Sequence, residues 1–482
     1  MSNDAKAISP VPQRIQPANI DRRRRRLIKG IAATVGAGAA SGYLSSASAA
    51  DGNQAEDDFS DIEHIIVVMM ENRSFDHILG WVPGADGLQG DRLYTTDDGQ
   101  EFMASELQDT QNFFAGDPDH TYGGARTHFN DGAMDGFLRT QLDQTNTFPI
   151  GYFGRDKVPF FSGCADYFTI GDRYFTGFMG PTWPNRIYMH SGQTDRMATG
   201  SPPADHVGLF CELPTIWDLA REAGVSASYY YSDAPMTAIW GTRLLSISRP
   251  FSDFLNDAAQ GTLPAISFID PAFIGEAIGL SNDDHPIADI RNGQAFLNNV
   301  YNALRLGPKW QNTLMIINYD EWGGFADHVA PPLAPVADSE RNMLLGGNDG
   351  RLGFRVPLVL IGPRARRNAA STGGTSVVKE QYDPNAILNF ICDRFGMPRL
   401  DVPRSETSGT LATALLPREQ ADYSEPPAFE VGTGTRFVLS QKRRTYTMDQ
   451  ALQAGLKSHF DDLRLLQKMA EESGYPLLGL RL

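Results

Sequence analysis

Two runs of apolar residues that end on acidic or amide side chains constrain the fold of this chain more than any other feature. The run at residues 65–70 has six apolar residues without alternation, which is typical of a strand buried on both faces of a parallel sheet. A similar run lies at residues 313–319. The residues that follow the two runs are Glu71, Asn72, Asp320 and Glu321. Because open α/β sheets form their ligand crevice at the carboxyl ends of the strands, these side chains are candidate ligands of one hard cation.

Helix capping is the alternative role for these four side chains, since Asp and Asn commonly cap helix N-termini. It is disfavoured for the second pair, because Asp320 and Glu321 lead into residues 322–325, a Trp-Gly-Gly-Phe sequence that predicts a tight loop and no helix. The cation site is therefore the preferred interpretation of the two pairs together.

Apolar runs alternate with helical periodicity along much of the chain. Further strand-like runs lie at residues 226–231, 264–269 and 356–361. Helical stretches lie at residues 215–223, 292–306 and 385–395. This alternation predicts an α/β fold with a mainly parallel central sheet and helices on both faces. With 482 residues, the chain is long enough for one large domain or two smaller ones.

Two regions depart from this pattern. Residues 84–181 are rich in Gly, Asp, Thr and aromatic residues and show little periodicity, so we expect a long excursion that covers the crevice and supplies substrate contacts. Towards the C-terminus, a strand-like patch lies at residues 436–439, and apolar spacing predicts an amphipathic helix at residues 448–472. We therefore divide the chain into a main domain at residues 50–400 and a C-terminal extension, packed on it, at residues 401–482.

The first 49 residues have the pattern of an export signal. Five arginines at residues 22–26 are followed by a mild Ala/Gly-rich stretch and by a small-residue cleavage site at residues 47–49. The sequence at residues 24–29 resembles the twin-arginine export signal. We predict a signal peptide at residues 1–49, export by the twin-arginine machinery, and a periplasmic or secreted protein. A nucleic-acid-binding arm, the alternative for the arginines, is disfavoured because the cleavage site follows at the expected distance.

Removing the predicted signal peptide makes the chain more acidic. Residues 1–49 hold 8 of the 42 Lys and Arg residues and 2 of the 58 Asp and Glu residues, so the net charge changes from −16 to −22. A body this acidic excludes nucleic acid and anionic membranes as partners bound through long-range attraction. No other stretch approaches about 18 consecutive apolar residues, so we expect no transmembrane span in the mature protein. The three cysteines predict no disulfide framework or zinc site, and one bridge or three buried thiols remain alternatives.

Thr182 is a candidate nucleophile. It lies in the sequence at residues 180–186, which leads into a helix-like stretch at residues 187–191. A hydroxyl at a helix start lies where backbone N–H groups and the helix dipole stabilise an anion, as a phosphorylated threonine requires. The hydroxyl becomes a good nucleophile only when a base or a metal ionises it, and a cation bound at the predicted site would do so. On local evidence alone, an ordinary N-cap threonine explains the residue equally well.

Three histidines in polar loops are candidates for phosphate contact or proton transfer. They are His120, His285 and His328, and each follows an aspartate. Such a histidine is more often part of a surface ion pair, but three of them in an α/β protein with an acidic metal site favour roles at a phosphate. They do not form a zinc-binding pattern, because no two share metal-ligand spacing on one element. The sequence has no Walker loop, GxGxxG after a strand, GxSxG or HExxH, which argues against nucleotide-driven, dehydrogenase, ordinary hydrolase and zinc-protease functions.

Four motifs together resemble the bacterial phosphoesterase family, whose members include phosphatidylcholine-type phospholipases C and a respiratory-burst-inhibiting acid phosphatase. The motifs are at residues 71–80, 180–186, 284–286 and 320–329, in the family's order. The resemblance implies an alkaline-phosphatase-like core over about residues 62 to 398. It also implies metal ligands at Glu71, Asn72, Asp320 and Glu321, a nucleophile at Thr182, and histidines around the phosphate at His120, His285 and His328.

Two features differ from the family's pattern. Many members carry a histidine after the aspartate of the motif that here reads Tyr382-Asp383-Pro384-Asn385. In this chain, the role of that histidine is therefore either absent or performed from another position. Larger phospholipases C of the family continue into C-terminal β-rich modules, whereas this chain ends at residue 482. A smaller, phosphatase-like member is therefore an alternative.

The resemblance implies an exported, metal-dependent phosphoesterase of the phospholipase C type, acting on a phosphate ester or a phospholipid. Thr182 would attack phosphorus, a histidine would be the candidate proton donor to the leaving alcohol, and water would hydrolyse the phosphothreonine. Oxygen ligands favour Ca²⁺, Mg²⁺ or Mn²⁺, with Zn²⁺ as a further option. The alternatives are an acid phosphatase acting on phosphomonoesters and a non-catalytic phosphate-binding or phospholipid-binding protein that keeps the fold.

Overall fold

A computed structural model of this protein describes residues 59–112, 115–198, 210–276, 280–343, 347–365, 376–432 and 456–479. The predicted signal peptide at residues 1–49 and the strand-like patch at residues 436–439 lie outside the described residues. The export signal therefore remains a prediction from the sequence.

A large sheet forms the centre of the described part of the chain. The strands are β1 (His64–Met70), β2 (Leu93–Thr95), β3 (Glu101–Met103), β4 (Thr169–Gly171), β5 (Ala227–Tyr231), β6 (Ser248–Pro250), β7 (Ile266–Ile269), β8 (Thr313–Tyr319), β9 (Leu358–Ile361) and β10 (Val377–Val378). Eight of them form the central sheet in the order β10-β4-β9-β8-β1-β7-β5-β6, and β2 pairs with β3 in a small separate ribbon.

Helices follow most of these strands. The α-helices are α1 (Phe75–Leu79), α2 (Tyr122–Phe129), α3 (Pro159–Tyr167), α4 (Thr182–Ser191), α5 (Ile216–Ala223), α6 (Phe251–Gln260), α7 (Ile290–Arg305), α8 (Asp338–Arg341), α9 (Pro384–Arg394), α10 (Pro403–Thr407) and α11 (Leu456–Glu472). The helices predicted from periodicity correspond to α5, α7 and α9, with ends displaced by one or two residues. Helix α11 covers the described part of the predicted C-terminal helix and packs against residues 236–247.

Parallel pairing predominates in the central sheet, which confirms the predicted fold class. Strand β1 pairs in parallel with β7 and β8, and β5 pairs in parallel with β6 and β7. Strand β9 is antiparallel to both β8 and β4. Strand β4 belongs to residues 84–181, so this region contributes to the central sheet as well as to the predicted excursion. Its strand has three residues, too short to produce a readable period in the sequence.

The interior explains why the first apolar run lacks alternation. Every residue of β1 is buried, because neighbouring strands lie on both of its edges and packed elements cover both faces. All three cysteines are buried free thiols, which excludes the single disulfide bridge. Among the helices of the described residues, none is long and apolar enough to cross a membrane.

Candidate active site

The two polar pairs predicted at strand ends lie side by side in the structure. Strands β1 and β8 are adjacent and parallel, and Met70 is in register with Tyr319, so the residues after both strands emerge at one edge of the sheet. The backbone N–H of Asn72 donates to Asp320 Oδ1 at 3.2 Å. The buried residues at this edge are Glu71, Asn72, Asp320 and Glu321. The loop predicted after Asp320 is also confirmed.

Backbone conformation at this edge explains two residue choices. Asn72 has a φ of +58°, in the left-handed region that asparagine tolerates better than most residues. Gly323 has a φ of +63°, and a Cβ there would lie 2.2 Å from the backbone oxygen of Asn72. Glycine is therefore required where the loop after β8 passes Asn72. The Gly323 N–H donates to Glu321 Oε2 at 2.7 Å and so orients that carboxylate.

Thr182 is the first residue of helix α4 and not its cap. The N-cap residue is Pro181, and α4 ends before Gly192, which has a φ of +66°. The buried Thr182 hydroxyl donates to Glu71 Oε1 at 3.0 Å. The hydroxyl thus contacts a predicted metal ligand, whereas an N-cap threonine would accept hydrogen bonds from the N–H groups of its own helix.

Arg186 lies four residues after Thr182 and therefore on the same face of α4. Its guanidinium contacts three buried carboxylates: Glu71 Oε2 at 3.0 Å, Asp270 Oδ1 at 2.9 Å and Asp320 Oδ2 at 3.2 Å. The guanidinium of Arg186 thereby contacts a residue that follows each of three adjacent strands, β7, β1 and β8.

Sequence reasoning assigns no role to Arg186 or Asp270. The signals were present, because Arg186 belongs to the motif at residues 180–186 and Asp270 directly follows the apolar run at residues 264–269. A search for an acidic residue after every buried parallel strand therefore finds more of the site residues than the two pairs alone.

Burial changes the proton affinities of these groups. It raises the pKa of Asp270 and of Asp320 to about 7, the charge of Glu71 adding to this increase and that of Arg186 opposing it. Burial also raises the pKa of Glu321 well above its usual range. For Arg186, burial alone would lower the pKa, but the three carboxylates outweigh it and raise the pKa. The site therefore concentrates more negative charge than Arg186 neutralises.

The four predicted metal ligands fit a hard divalent cation. All of them supply carboxylate or amide oxygen, which Ca²⁺, Mg²⁺ and Mn²⁺ prefer. Within the described residues, the side-chain oxygen and nitrogen of Asn72 have no hydrogen-bond partner, and neither does Glu321 Oε1. A buried polar atom without a partner costs about 1–3 kcal/mol. These atoms therefore indicate that the site accommodates a further group.

A second set of polar residues adjoins the first through Glu321. His120 Nε2 lies 3.6 Å from Glu321 Oε1, and His120 Nδ1 lies 3.6 Å from Asp117 Oδ1. The rings of His120 and His285 are 5.7 Å apart and inclined at 81°. His285 lies 4.0 Å from Asp117 through Nε2 and 3.6 Å from Glu276 through Nδ1. Two of the three candidate histidines therefore lie beside the candidate metal ligands.

Three acidic residues of this second set are absent from the sequence prediction: Asp117, Glu276 and Asp283. Oxygen atoms of Glu71, Glu276 and Asp283 lie within 4.8 Å of one another. Burial raises the pKa of both Glu276 and Asp283 well above the usual range. Asp117 and Asp283 each lie within three residues of a candidate histidine, which is a usable signal, whereas the sequence around Glu276 offers none.

His328 lies in a different cluster of charged residues. Its Nδ1 atom is 2.6 Å from Asp76 Oδ2, and its Nε2 atom is 3.2 Å from Asp86 Oδ1. Arg355 joins the same cluster through Asp76 at 3.1 Å and Asp327 at 2.9 Å. Burial lowers the pKa of His328, but the hydrogen bond and charge of Asp76 outweigh this and raise the pKa. Among the contacts of the described residues, none joins His328 to the candidate nucleophile.

Comparison with known proteins identifies relatives of the chain. The model of the Phosphoesterase family matches residues 62–398. Non-specific phospholipase C6 of Arabidopsis thaliana is 30% identical, over 76% of this chain and 79% of the relative. Phospholipase C B of Mycobacterium tuberculosis is 29% identical, over 76% of this chain and 79% of the relative. A solved protein of the alkaline phosphatase superfamily from Vibrio parahaemolyticus aligns over 74% of this chain and 71% of its own, with 10% identity and a TM-score of 0.33, too distant to support an argument about function.

Proposed function

We propose, on the premise that this chain belongs to the phosphoesterase family, that it is an exported, metal-dependent hydrolase of the phospholipase C type. The family match and the two phospholipases C establish the coarser statement, that the chain is a phosphoric ester hydrolase. The observation that carries the proposed chemistry is the buried hydrogen bond of 3.0 Å from the Thr182 hydroxyl to Glu71 Oε1, at the start of a helix.

Thr182 attacks phosphorus in the proposed first step. Its hydroxyl donates to a carboxylate, so Glu71 accepts the proton as the hydroxyl oxygen bonds to phosphorus. The oxygen lies at the N-terminal end of α4, where the helix dipole stabilises the resulting phosphothreonine. Arg186, one turn further along the same face, holds Glu71 in place through their contact of 3.0 Å.

The leaving alcohol and the second step need a proton donor and acceptor. In the proposed step, His120 or His285 gives a proton to the departing alcohol oxygen as its bond to phosphorus breaks. The same histidine then takes a proton from the water that attacks the phosphothreonine. The Thr182 oxygen leaves with the proton that Glu71 held. For His328, the contacts with Asp76 and Asp86 support a role in holding the loop after β8.

A divalent ion completes the proposed site. The residues that would hold it are Glu71, Asn72, Asp320 and Glu321. When bound, such an ion supplies positive charge that favours the ionised hydroxyl and the phosphate oxygens. The oxygen ligands support Ca²⁺, Mg²⁺ or Mn²⁺, and Zn²⁺ is the alternative.

Replacing Thr182 tests the covalent mechanism. We expect Thr182→Ala to lose about 10⁴-fold or more in kcat, because the reacting oxygen is gone, and Thr182→Ser to keep part of the rate. The measurements are hydrolysis of p-nitrophenyl-phosphocholine, phosphatidylcholine and p-nitrophenyl phosphate, each with a panel of metals. Mass spectrometry of an acid-quenched reaction should find phosphate on the peptide that contains Thr182.

Thr215→Ala is the matched control for this experiment. Thr215 is the N-cap of α5, in a capping box with Asp218, so its loss should cost about 1 kcal/mol of stability with little change in turnover. Near-normal turnover in Thr182→Ala would rule out the covalent mechanism. Activity confined to phosphomonoesters would replace the phospholipase C assignment with an acid phosphatase, and tight phosphate binding without turnover would indicate a binding protein.

The export proposal rests on Arg24 and Arg25 followed by the cleavage-site residues 47–49. Changing both arginines to lysine should leave the precursor in the cytoplasm, as measured by cell fractionation. Undiminished export of this variant, or export from a strain without the twin-arginine translocase, would contradict the proposal.

A further inference from the structure

We propose that Arg73 and Tyr319 are positioning residues, which hold the backbone turn at Asp284 and thereby place the imidazole of His285 beside His120. Arg73, Tyr319 and Asp284 are buried. None of the three is a candidate metal ligand, nucleophile or proton carrier, so they act through His285. Their effect on turnover rests on the proposed function, in which His285 is one of two histidines that transfer protons.

The backbone at Asp284 has a conformation that side chains rarely adopt. Its φ is +81°, and few residues other than glycine have a positive φ without steric strain. Strained residues persist only where the surrounding structure holds them, and they concentrate at active sites. Asp284 directly precedes His285, so the strain lies at the residue that directs the chain into this histidine.

Two contacts hold Asp284 in this conformation, one at its side chain and one at its backbone. The Tyr319 hydroxyl donates to Asp284 Oδ2 at 2.6 Å, and Arg73 Nε donates to the backbone oxygen of Asp284 at 2.7 Å. Tyr319 is the last residue of β8, and Arg73 is the third residue after β1. The turn is therefore attached to both strands whose ends carry the candidate metal ligands.

Other contacts fix the position of Arg73. Its Nη1 atom lies 2.9 Å from His77 Nε2, and His77 Nδ1 lies 2.8 Å from the backbone oxygen of Gly151. A carbonyl oxygen only accepts, so Nδ1 carries the hydrogen of the neutral ring and Nε2 accepts from the guanidinium. The guanidinium also lies 4.6 Å from the centre of the Phe325 ring. Arg73 therefore presents Nε to the turn at a fixed position.

Helix α7 has a glycine where the carboxylate of Asp284 approaches it. A Cβ at Gly293 would lie 2.0 Å from Asp284 Oδ1, so no residue with a side chain fits there. Glycine is less favourable than alanine in a helix. The strained φ of Asp284 and this glycine both lower the stability of the fold locally, and both serve one conformation of the turn. That combination indicates a function of the turn beyond stability.

The turn is joined to the active site on both sides of Asp284. The backbone oxygen of Asp283 accepts from the Glu71 N–H at 2.8 Å, and Asp283 Oδ1 accepts from the His285 N–H at 3.0 Å. The buried His285 ring lies 5.7 Å from the ring of His120. A change of φ at Asp284 would rotate the chain that follows and move the His285 ring. A misplacement of about 1 Å at a reacting group can lower a rate about 100-fold.

Stabilisation of the fold alone is the competing explanation, and a second buried cluster has the same chemistry without a candidate site residue. The Tyr188 hydroxyl donates to Glu340 Oε1 at 2.6 Å. Arg404 Nε donates to the backbone oxygen of Pro335 at 2.9 Å, and its guanidinium lies 4.6 Å from the centre of the Tyr188 ring. The side chains of Tyr188, Glu340 and Arg404 are buried. Tyr188 and Arg404 are therefore matched controls for the two positioning residues.

The test compares Tyr319→Phe and Arg73→Lys with Tyr188→Phe and Arg404→Lys. Each protein is assayed with saturating metal on p-nitrophenyl-phosphocholine and p-nitrophenyl phosphate, and plasma mass spectrometry counts the bound metal. Carbon-13 labelling at the imidazole Cε1 atom gives an NMR signal for each histidine, and His285→Gln identifies the signal of His285. Thermal unfolding gives the stability of each variant.

We expect Tyr319→Phe and Arg73→Lys to lower kcat about 10- to 100-fold, because the placement of a reacting group is lost. Substrate binding is kept, so KM should stay within about twofold of wild type, with metal content unchanged. The His285 signal should shift in both variants. The two control variants should lose similar thermal stability and keep both kcat and the His285 signal. Equal losses of kcat in all four variants, or an unshifted His285 signal in Tyr319→Phe and Arg73→Lys, would overturn the inference.

Asp284→Gly separates positioning from stability if Tyr319→Phe fails to fold. Glycine adopts a φ of +81° without strain, so the variant should melt close to the wild-type temperature. It lacks the carboxylate that Tyr319 holds, so kcat should still fall at least about tenfold and the His285 signal should shift. Wild-type kcat and an unshifted signal in this variant would contradict the inference.

The NMR measurement needs no substrate and so separates this inference from the proposed function. A shifted His285 signal in Tyr319→Phe, together with an active Thr182→Ala variant, would overturn the covalent mechanism and leave the positioning of His285 standing. An unshifted His285 signal, together with phosphate on Thr182 in the wild type, would do the reverse.

Discussion

Two clusters of largely buried charged residues lie next to the loops that follow β1 and β8, and they differ in how fully their polar atoms are paired. The paired cluster consists of Asp76, Asp86, Asp327, His328 and Arg355. The open cluster consists of Glu71, Asn72, Thr182, Arg186, Asp270, Asp320 and Glu321. Both contain several carboxylates and one arginine, so composition does not distinguish them.

Hydrogen bonding does distinguish them. In the paired cluster, both oxygens of Asp76 accept hydrogen bonds, from Leu88 and Arg355 and from His328, and both oxygens of Asp327 are likewise used. In the open cluster, side-chain atoms of Asn72, Asp270 and Glu321 have no hydrogen-bond partner among the described residues. Groups that the protein satisfies by itself hold its structure, whereas unsatisfied buried groups mark the position at which something else binds.

The largest expected effect distinguishes the clusters by activity. Asp320→Asn should lower both metal content and turnover, the latter by about 10³-fold, because a charged group at the reaction centre is lost. Its stability should change little, since the substitution also relieves repulsion with Glu71. Asp327→Asn makes the same chemical change in the paired cluster and should keep the metal. Full metal content and wild-type rates in Asp320→Asn would show that the open cluster is not a metal site.

The second effect distinguishes the clusters by stability. Arg355→Met should destabilise the fold by about 3–5 kcal/mol, because Asp76 and Asp327 stay buried without their counter-charge. Urea denaturation followed by circular dichroism measures this loss. Arg173→Met is the control, since Arg173 contacts Asp86 at 3.6 Å at the partly exposed edge of the cluster and should cost at most about 1 kcal/mol. Equal losses in the two variants would contradict the distinction.

The smallest effect is the pH dependence of the paired cluster. The pKa of His328 is raised in the folded protein, so its stabilising contribution is complete below the unfolded pKa of about 6.5. The contribution is lost as the pH rises through the folded value. The difference in unfolding free energy between wild type and His328→Asn, about 1 kcal/mol at pH 5.5, should therefore shrink as the pH rises above about 6.5. Arg173→Met removes no group that titrates in this pH range, so it is the reference variant. A difference between wild type and His328→Asn that grows with pH would contradict the positive charge assigned to His328.

Local sequence predicts well the two buried strands that end at the site. An unbroken apolar run such as residues 65–70 is stable only where both faces are covered, so its burial in β1 follows from the sequence. Parallel strands carry their carboxyl ends to one edge, so the proximity of Glu71 to Asp320 follows as well. The antiparallel strand β9 and the short strand β4 could not be predicted, because pairing direction and a three-residue strand leave no periodic signal.

The sequence alone determines the α/β class, the two polar strand ends, the family motifs and the residues that offer suitable chemistry. It does not determine which charges meet. His120, His285 and His328 each follow an aspartate and look equivalent in the sequence, yet the first two lie beside Glu321 and Glu276 while the third pairs with Asp76 and Asp86. These partners come from distant segments. Local sequence sets the conformation of a segment, whereas charge pairing depends on which segments the packed core brings together, and that is a property of the tertiary structure.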